Sequence, residues 1–459
     1  MSKRTNDLGN DRIGSLMIRL GVPAVTAQLV NALYNIVDRM YIGRMKPDGD
    51  LALTGLGVTF AIIMFISALA ALVGMGGGSR AAIHMGAKDD EGANAILGNC
   101  TALMIIISVV VTVIFQIFKD PMLLAFGASE VTLPYASDYL GIYLWGTIAV
   151  QISLGLNNFI TTQGFSTTSM LTVVIGAIIN IVLDPILIFG FDMGVKGAAL
   201  ATVAAQVVSA LWVLKFLTGK KTKLRIDIKH LRLKPAVFLP VIAIGVSPFI
   251  MQSTESLVNI ALLSSLQKYG GDIYVGAMTI ASSVMQVLVM PFTGLAQGAQ
   301  PIVGYNFGAG KMDRVRKTFK ILFISGLVCS IVSFAAVQLF PQVFVAIFND
   351  KPELVEATVW AMHIYFGGMF MLGMQFSCQQ TFVALGQAKI SLVLALLRKV
   401  ILLVPLIYIL PLFLANKVFA VYLAEPVADV IAATATGLVF FISFPKILKK
   451  QEEKLAQQE

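Results

Sequence analysis

Residues 168–190 read TSMLTVVIGAIINIVLDPILIFG, and the only charge among these 23 positions is Asp184. A run this long and this apolar is what a helix needs to cross a bilayer. It does not alternate between polar and apolar residues, so it is not a barrel strand. Similar runs recur along the chain at about 15–42, 52–78, 94–118, 131–158 and 194–217, then at 238–267, 272–302, 318–341, 354–383, 388–412 and 415–444. The expected fold is an all-α integral membrane protein of twelve helical spans.

Composition points the same way. The 459 residues are 57% hydrophobic and 13% charged, with a mean hydropathy of +0.83. An ordinary globular domain carries about 25% charged residues. Soluble multidomain enzymes, disordered chains and nucleic-acid binders are excluded on that basis. The net charge of +9 follows from basic loops at one membrane face. Of the 34 Lys and Arg, 24 fall on the side of the N-terminus, Lys3 and Arg4 among them. Eight fall on the opposite side, and Arg398 and Lys399 sit within a span. The positive-inside rule then puts both termini in the cytoplasm, in a cell inner or plasma membrane, with lipid as the surrounding partner and no nucleic acid. A monomer is the expected state. Residues 1–14 are polar and precede no short apolar segment with a cleavage site, so no removable signal peptide is expected. Cys100, Cys329 and Cys378 are dispersed, which argues against a disulfide framework or metal site.

The basic stretch 218–236 divides the chain into halves, 15–217 and 237–444, with polar tails at 1–14 and 445–459. The halves repeat one another. At an offset of 224, Gly21-Val22, Gln28, Leu33 and Asn35-Ile36 meet Gly245-Val246, Gln252, Leu257 and Asn259-Ile260. At 222, Gly76, Gly86-Ala87 and Gly164 meet Gly298, Gly308-Ala309 and Gly386. Six spans per half give two six-helix lobes of the same orientation, related by a pseudo-two-fold axis along the membrane normal.

An ionisable group inside a span is costly and marks a functional site by default. Asp38 lies late in the first span and Asp184 deep in the fifth. Asn180 is one helical turn before Asp184, on the same face. Pro185 frees a carbonyl near that face, and Thr202 in the sixth span adds a hydroxyl. These oxygens suit Na⁺ or a proton equally. The second half carries Glu255 on the seventh span, Arg398 and Lys399 on the eleventh, and Glu425 and Asp429 on the twelfth. Both signs are present there, so this polar cluster can neutralise itself, with Arg398 and Lys399 expected against Glu255. The chain holds no nucleotide-binding G-x-x-x-x-G-K-[ST] run, no clustered His or Cys and no need for a cofactor. A membrane-embedded enzyme and a lipid-linked precursor flippase are the alternatives. The latter would need Arg398 and Lys399 free to meet a pyrophosphate.

Several motifs, in order, carry a resemblance: Val22-Pro23-Ala24 with Asn35-Ile36-Val37-Asp38, then Asn180 to Phe191, then Gly194-Val195-Lys196-Gly197-Ala198-Ala199. Gln297-Gly298-Ala299-Gln300-Pro301 with Gly304-Tyr305-Asn306 completes the set. Over essentially its whole length the chain resembles the multidrug and toxic compound extrusion (MATE) family, in its bacterial, MepA-like branch. The resemblance implies two lobes in a V and cation-coupled export of small organic cations or drugs, with H⁺ or Na⁺ as the coupling ion. It implies a first-lobe ion site at Asp38, Asn180, Asp184 and Thr202, beside Tyr34, and a bending proline at Pro23. It also matches Glu255 to a second-lobe carboxylate. The acid that some members pair with it on the tenth span is missing here.

Overall fold

A bilayer offers backbone groups no water, so apolar runs satisfy their N–H and C=O groups internally as helices. The computed structural model describes residues 6–46, 49–348 and 351–457, and among them there is no strand. Lys3 and Arg4 lie outside the described residues. The first half holds α1 (Ile13–Gly43), α2 (Gly49–Gly86) and α3 (Asp90–Ala125). It continues with α4 (Leu133–Trp145 with Thr147–Thr162), α5 (Ser166–Gly190) and α6 (Gly194–Leu217). The second holds α7 (Pro235–Gly270), α8 (Asp272–Gly308), α9 (Met312–Leu339), α10 (Pro352–Ala384), α11 (Ala388–Phe413) and α12 (Lys417–Ala456). Eleven of these are long and apolar enough to cross a membrane unaided, and the bent α4 makes twelve. The protein is a multi-pass membrane protein.

Three features differ from the sequence expectation. First, α4 is not one straight helix but bends by 61° at Gly146. Here α4 presses on α6, and a Cβ at Gly146 would stand 2.7 Å from Val203. The position 222 residues later, Gly368, lies in a 3₁₀ turn (Phe366–Met371) that interrupts α10. Second, residues 445–456 continue α12 as a helix through Pro445. Glu452 reaches Arg316 at 3.6 Å, and Lys449 pairs with Glu453 one turn on at 3.8 Å. Third, residues 6–12 are folded against the helix bundle and do not project as a tail.

Two seams join the halves, α1 with α8 and α2 with α7. Glycines repeated between the halves set their spacing. A Cβ at Gly298 would stand 2.7 Å from the Gly21 nitrogen, and one at Gly245 would run into the Leu72 carbonyl. Such small residues let helix backbones touch. Gln300 of α8 donates to Ser79 of α2 at 2.8 Å, a further contact between the halves. These contacts all lie in the halves of α1, α2, α7 and α8 nearer the face that carries both termini. Toward the opposite face, large apolar side chains on the same four helices are exposed, among them Leu33, Ile36, Phe60, Leu257 and Val287. The bundle is therefore closed at the terminal face.

The linker 218–236 is held to the first half by side chains that cap its backbone. The Gln163 carbonyl oxygen accepts from the Lys223 and Leu224 amides at 2.7 and 3.0 Å, and the Asn99 oxygen accepts from Lys234 N–H at 2.7 Å. At the start of α3 the Asp89 side chain accepts from Gly92 N–H at 2.8 Å and meets His84 Nδ1 at 2.7 Å. The Gly92 amide, and after it His84, hold the Asp89 carboxyl below its ordinary range. Asp89→Ala is expected to cost about 1 kcal/mol, the usual worth of an N-cap. Because the folded-state value is depressed, this stabilisation is present above the unfolded carboxylate value and fades as pH falls through the folded one. Thermal unfolding in detergent across pH 2 to 7 measures both effects. An Asp89→Ala melting temperature equal to wild type near neutral pH would refute the cap.

Candidate functional site

The first-lobe site forms where α1, α5, α6 and α4 meet. Asn180 and Asp184 are one turn apart on α5, and both are fully buried. The Asn180 amide nitrogen donates to Asp184 Oδ1 and to Thr202 Oγ1, each at 3.3 Å. Immediately after Pro185 the helix widens into a π turn, Ile186–Gly190, in which Phe191 N–H bonds the Ile186 carbonyl at 2.9 Å. Pro185 has no N–H to give Ile181, so the helix reorganises just beyond the acid. Asp38, also buried, comes from the outer half of α1 and meets the Asp184 side chain directly. Tyr34, one turn earlier on α1, stands beside both acids.

Three oxygens at this site are buried without a hydrogen-bond partner among the described residues: Asp38 Oδ1, Asn180 Oδ1 and Asp184 Oδ2. Orphaned acceptors in a low-dielectric interior cost about 1–3 kcal/mol each, more when charged. None of the ion pairs formed among the described residues reaches Asp38 or Asp184. Two carboxyls against each other without a basic partner need a bound positive charge to be stable together.

Two further residues complete the wall. Tyr139 on α4 approaches Thr202 Oγ1 at 3.5 Å, within electrostatic reach of Asp38, and it stacks on Tyr143 with centroids 6.2 Å apart. The sequence carried a signal for them, because Tyr135, Tyr139 and Tyr143 are spaced by four and share a helix face.

The second-lobe cluster is built differently. Arg398 donates from Nε to Asp429 Oδ1 at 2.7 Å and from Nη2 to Glu425 Oε1 at 3.3 Å. Lys399 meets Glu255 at 2.9 Å. The sequence expectation placed both cations against Glu255, and the structure corrects this for Arg398. The reason is local. Residues Leu397–Leu403 form a π turn, and adjacent positions on a helix point in different directions. Arg398 therefore faces α12 while Lys399 faces α7. Pro23, on the other hand, sits within an unbroken α1.

The arrangement of two six-helix halves with buried acids on α1 and α5 can be set beside known proteins. The MatE family model matches residues 23–186 and again 248–409, one copy in each half. The chain belongs to the MatE family. The double match is the internal repeat seen from outside. A multidrug export protein MepA of Staphylococcus haemolyticus is 26% identical over 418 residues, covering 91% of both chains. MepA of Staphylococcus aureus is 25% identical, covering 93% of both. The solved MATE multidrug transporter DinF-BH is 35% identical, covers 96% of this chain and 98% of that one, and superposes with a TM-score of 0.87.

Proposed function

We propose that this MatE protein exports small organic cations across the plasma membrane by antiport against H⁺ or Na⁺. The three partnerless oxygens at Asp38, Asn180 and Asp184 carry that reading. They form a site short of positive charge, with Thr202 and Tyr34 beside it. The names of the relatives support a drug-like substrate. We assign residues 15–217 and 237–444 to two lobes, place both termini in the cytoplasm and take the monomer as the working unit.

The cycle runs by alternating access. With the terminal face closed, Asp38 and Asp184 take the coupling ion from outside. Their neutralisation removes the repulsion that opposes drawing α1 onto α5, and α1 bends at Pro23. The substrate cation leaves outward, the lobes reopen toward the cytoplasm, and the ion is released there. The flippase alternative is weakened because Arg398 and Lys399, which it needs free, are engaged by Asp429, Glu425 and Glu255.

The deciding experiment is efflux of ethidium, a monovalent organic cation, from reconstituted vesicles under separately imposed ΔpH, ΔNa and Δψ. Efflux is expected to follow one ion gradient only. If one ion exchanges for one monovalent dye cation, Δψ has no effect. Two ions per dye would add roughly 2.3 kcal/mol of drive per 100 mV. Efflux at equal rates with no ion gradient would refute coupling.

A further inference from the structure

The residues before α1 are expected to be a solvated tail, yet they cross from one half of the protein to the other. Leu8 is 4% exposed and packs with Leu16 and Leu20 of α1, Ala299 and Ile302 of α8 and Leu322 of α9. The second half grips this segment through the turn between α8 and α9. Asn306 donates to the Leu8 carbonyl at 2.9 Å. Arg314 donates to the carbonyls of Leu8 at 3.2 Å and Asp11 at 2.7 Å. Lys311 donates to the Gly9 carbonyl and to Asn10 Oδ1, both at 3.0 Å. An Asp7 turn stiffens the segment, with Gly9 and Asn10 amides donating to Oδ1 at 2.9 and 3.1 Å.

The first half holds the segment by its continuation into α1, where Arg19 donates to Asp11 Oδ2 at 2.7 Å, and by one contact at its far end. Asn6 donates to the Gly164 carbonyl at 2.8 Å in the turn between α4 and α5. This is the same turn whose Gln163 holds the inter-lobe linker.

We infer that residues 6–12 are a latch across the terminal face, fixed to the second half by Arg314, Lys311 and Asn306 and caught on the first half at Gly164. The inference rests on alternating access. When the lobes part at this face the segment cannot remain bonded to both. Residues 8–11 carry five hydrogen bonds to the second half and Asn6 carries one to the α4–α5 turn, so with α1 bending at Pro23 the segment stays with the second half and breaks at Asn6. In the closed state the catch adds to the glycine seams and biases the protein toward the conformation open to the opposite side.

Two experiments test the latch. A Cβ at Gly164 would lie 3.4 Å from that of Asn6, close to the spacing a disulfide needs. In a background with Cys100, Cys329 and Cys378 replaced, Asn6→Cys with Gly164→Cys is oxidised and assayed for ethidium efflux in vesicles. Gly164 has φ +88°, so a Cys there is strained, and the reduced form is the control because it carries the same strain. Oxidation is expected to lower efflux at least about tenfold, with recovery on reduction. Cross-linked protein that exports as fast as the reduced form would overturn the latch, as would failure of the pair to cross-link. The second experiment needs no transport. Ser79, buried where α2 meets α8, becomes the reporter as Ser79→Cys in the same background. Adding Asn6→Ala is expected to raise its maleimide labelling rate several-fold. An unchanged rate rejects the latch. Absence of ion-driven efflux in the reduced protein and its parent would instead reject the antiport reading, leaving the labelling result to decide the latch.

Discussion

Asp184→Asn is expected to abolish ion-driven efflux of a cationic dye while leaving the protein folded and at least as thermostable as wild type. Asp38→Asn is expected to do the same. The two halves of this expectation have one cause. Each carboxyl is buried against the other with an orphaned oxygen and makes no ion pair among the described residues. An amide has nearly the same shape and carries no charge. It removes the mutual repulsion that opposes folding, and it removes the charge that attracts an ion. Loss of one charged partner to a buried cation is worth about 3 kcal/mol, or about a hundredfold in rate. Thermal unfolding and efflux therefore move in opposite directions. A merely structural cluster behaves otherwise, with Asp184→Asn lowering stability and leaving the normalised export rate unchanged. Wild-type efflux in both variants sinks the assignment.

The fold was legible because a bilayer imposes length and apolarity on every span. The repeat was legible because the same helix approaches occur twice. Gly76 and Gly245 meet at one seam, Gly21 and Gly298 at the other, and a Cβ would separate either pair. The acids on α1 and α5 stood out because they are carboxylates set in apolar runs. What stayed hidden is set by tertiary contact. The 61° bend at Gly146 depends on α6 lying against it. Tyr139 looks like any aromatic in an apolar span until the fold sets Thr202 against its hydroxyl. Residues 6–12 read as a polar tail because their partners, Gly164 and Arg314, are about 150 and 300 positions away in the chain. The partner of Arg398 was misread for a similar reason. A π turn re-aims it by about one position, and no periodicity argument predicts that turn.

That corrected pairing makes the second large effect specific. Arg398→Ala leaves Asp429 and Glu425, 1% and 3% exposed, without the guanidinium that bonds both. Removing one partner from a buried charge network costs about 3–5 kcal/mol, so a large fall in melting temperature is expected in detergent. Adding Asp429→Asn restores part of the loss by removing the stranded charge. The double-mutant cycle between 398 and 429 should show strong coupling, since their contact is 2.7 Å, and the cycle between 399 and 255 should too. The cycle between 398 and 255 should show less. Coupling of 398 to 255 larger than to 429 would contradict the pairing. Glu255→Gln alone should reduce export only in part. Its side chain is 55% exposed and its one ion-pair partner, Lys399, is 8% exposed, so the variant strands a buried ammonium, and Lys399→Met should rescue it. The contrast with α5 is one of charge balance. In the second half both cations are paired with carboxylates of the protein itself, so removing a cation is expected to destabilise. In the first half neither acid has an ion-pair partner among the described residues, and on the proposed reading the compensating cation arrives from solution, so removing a charge there is expected to stabilise the fold and disable export.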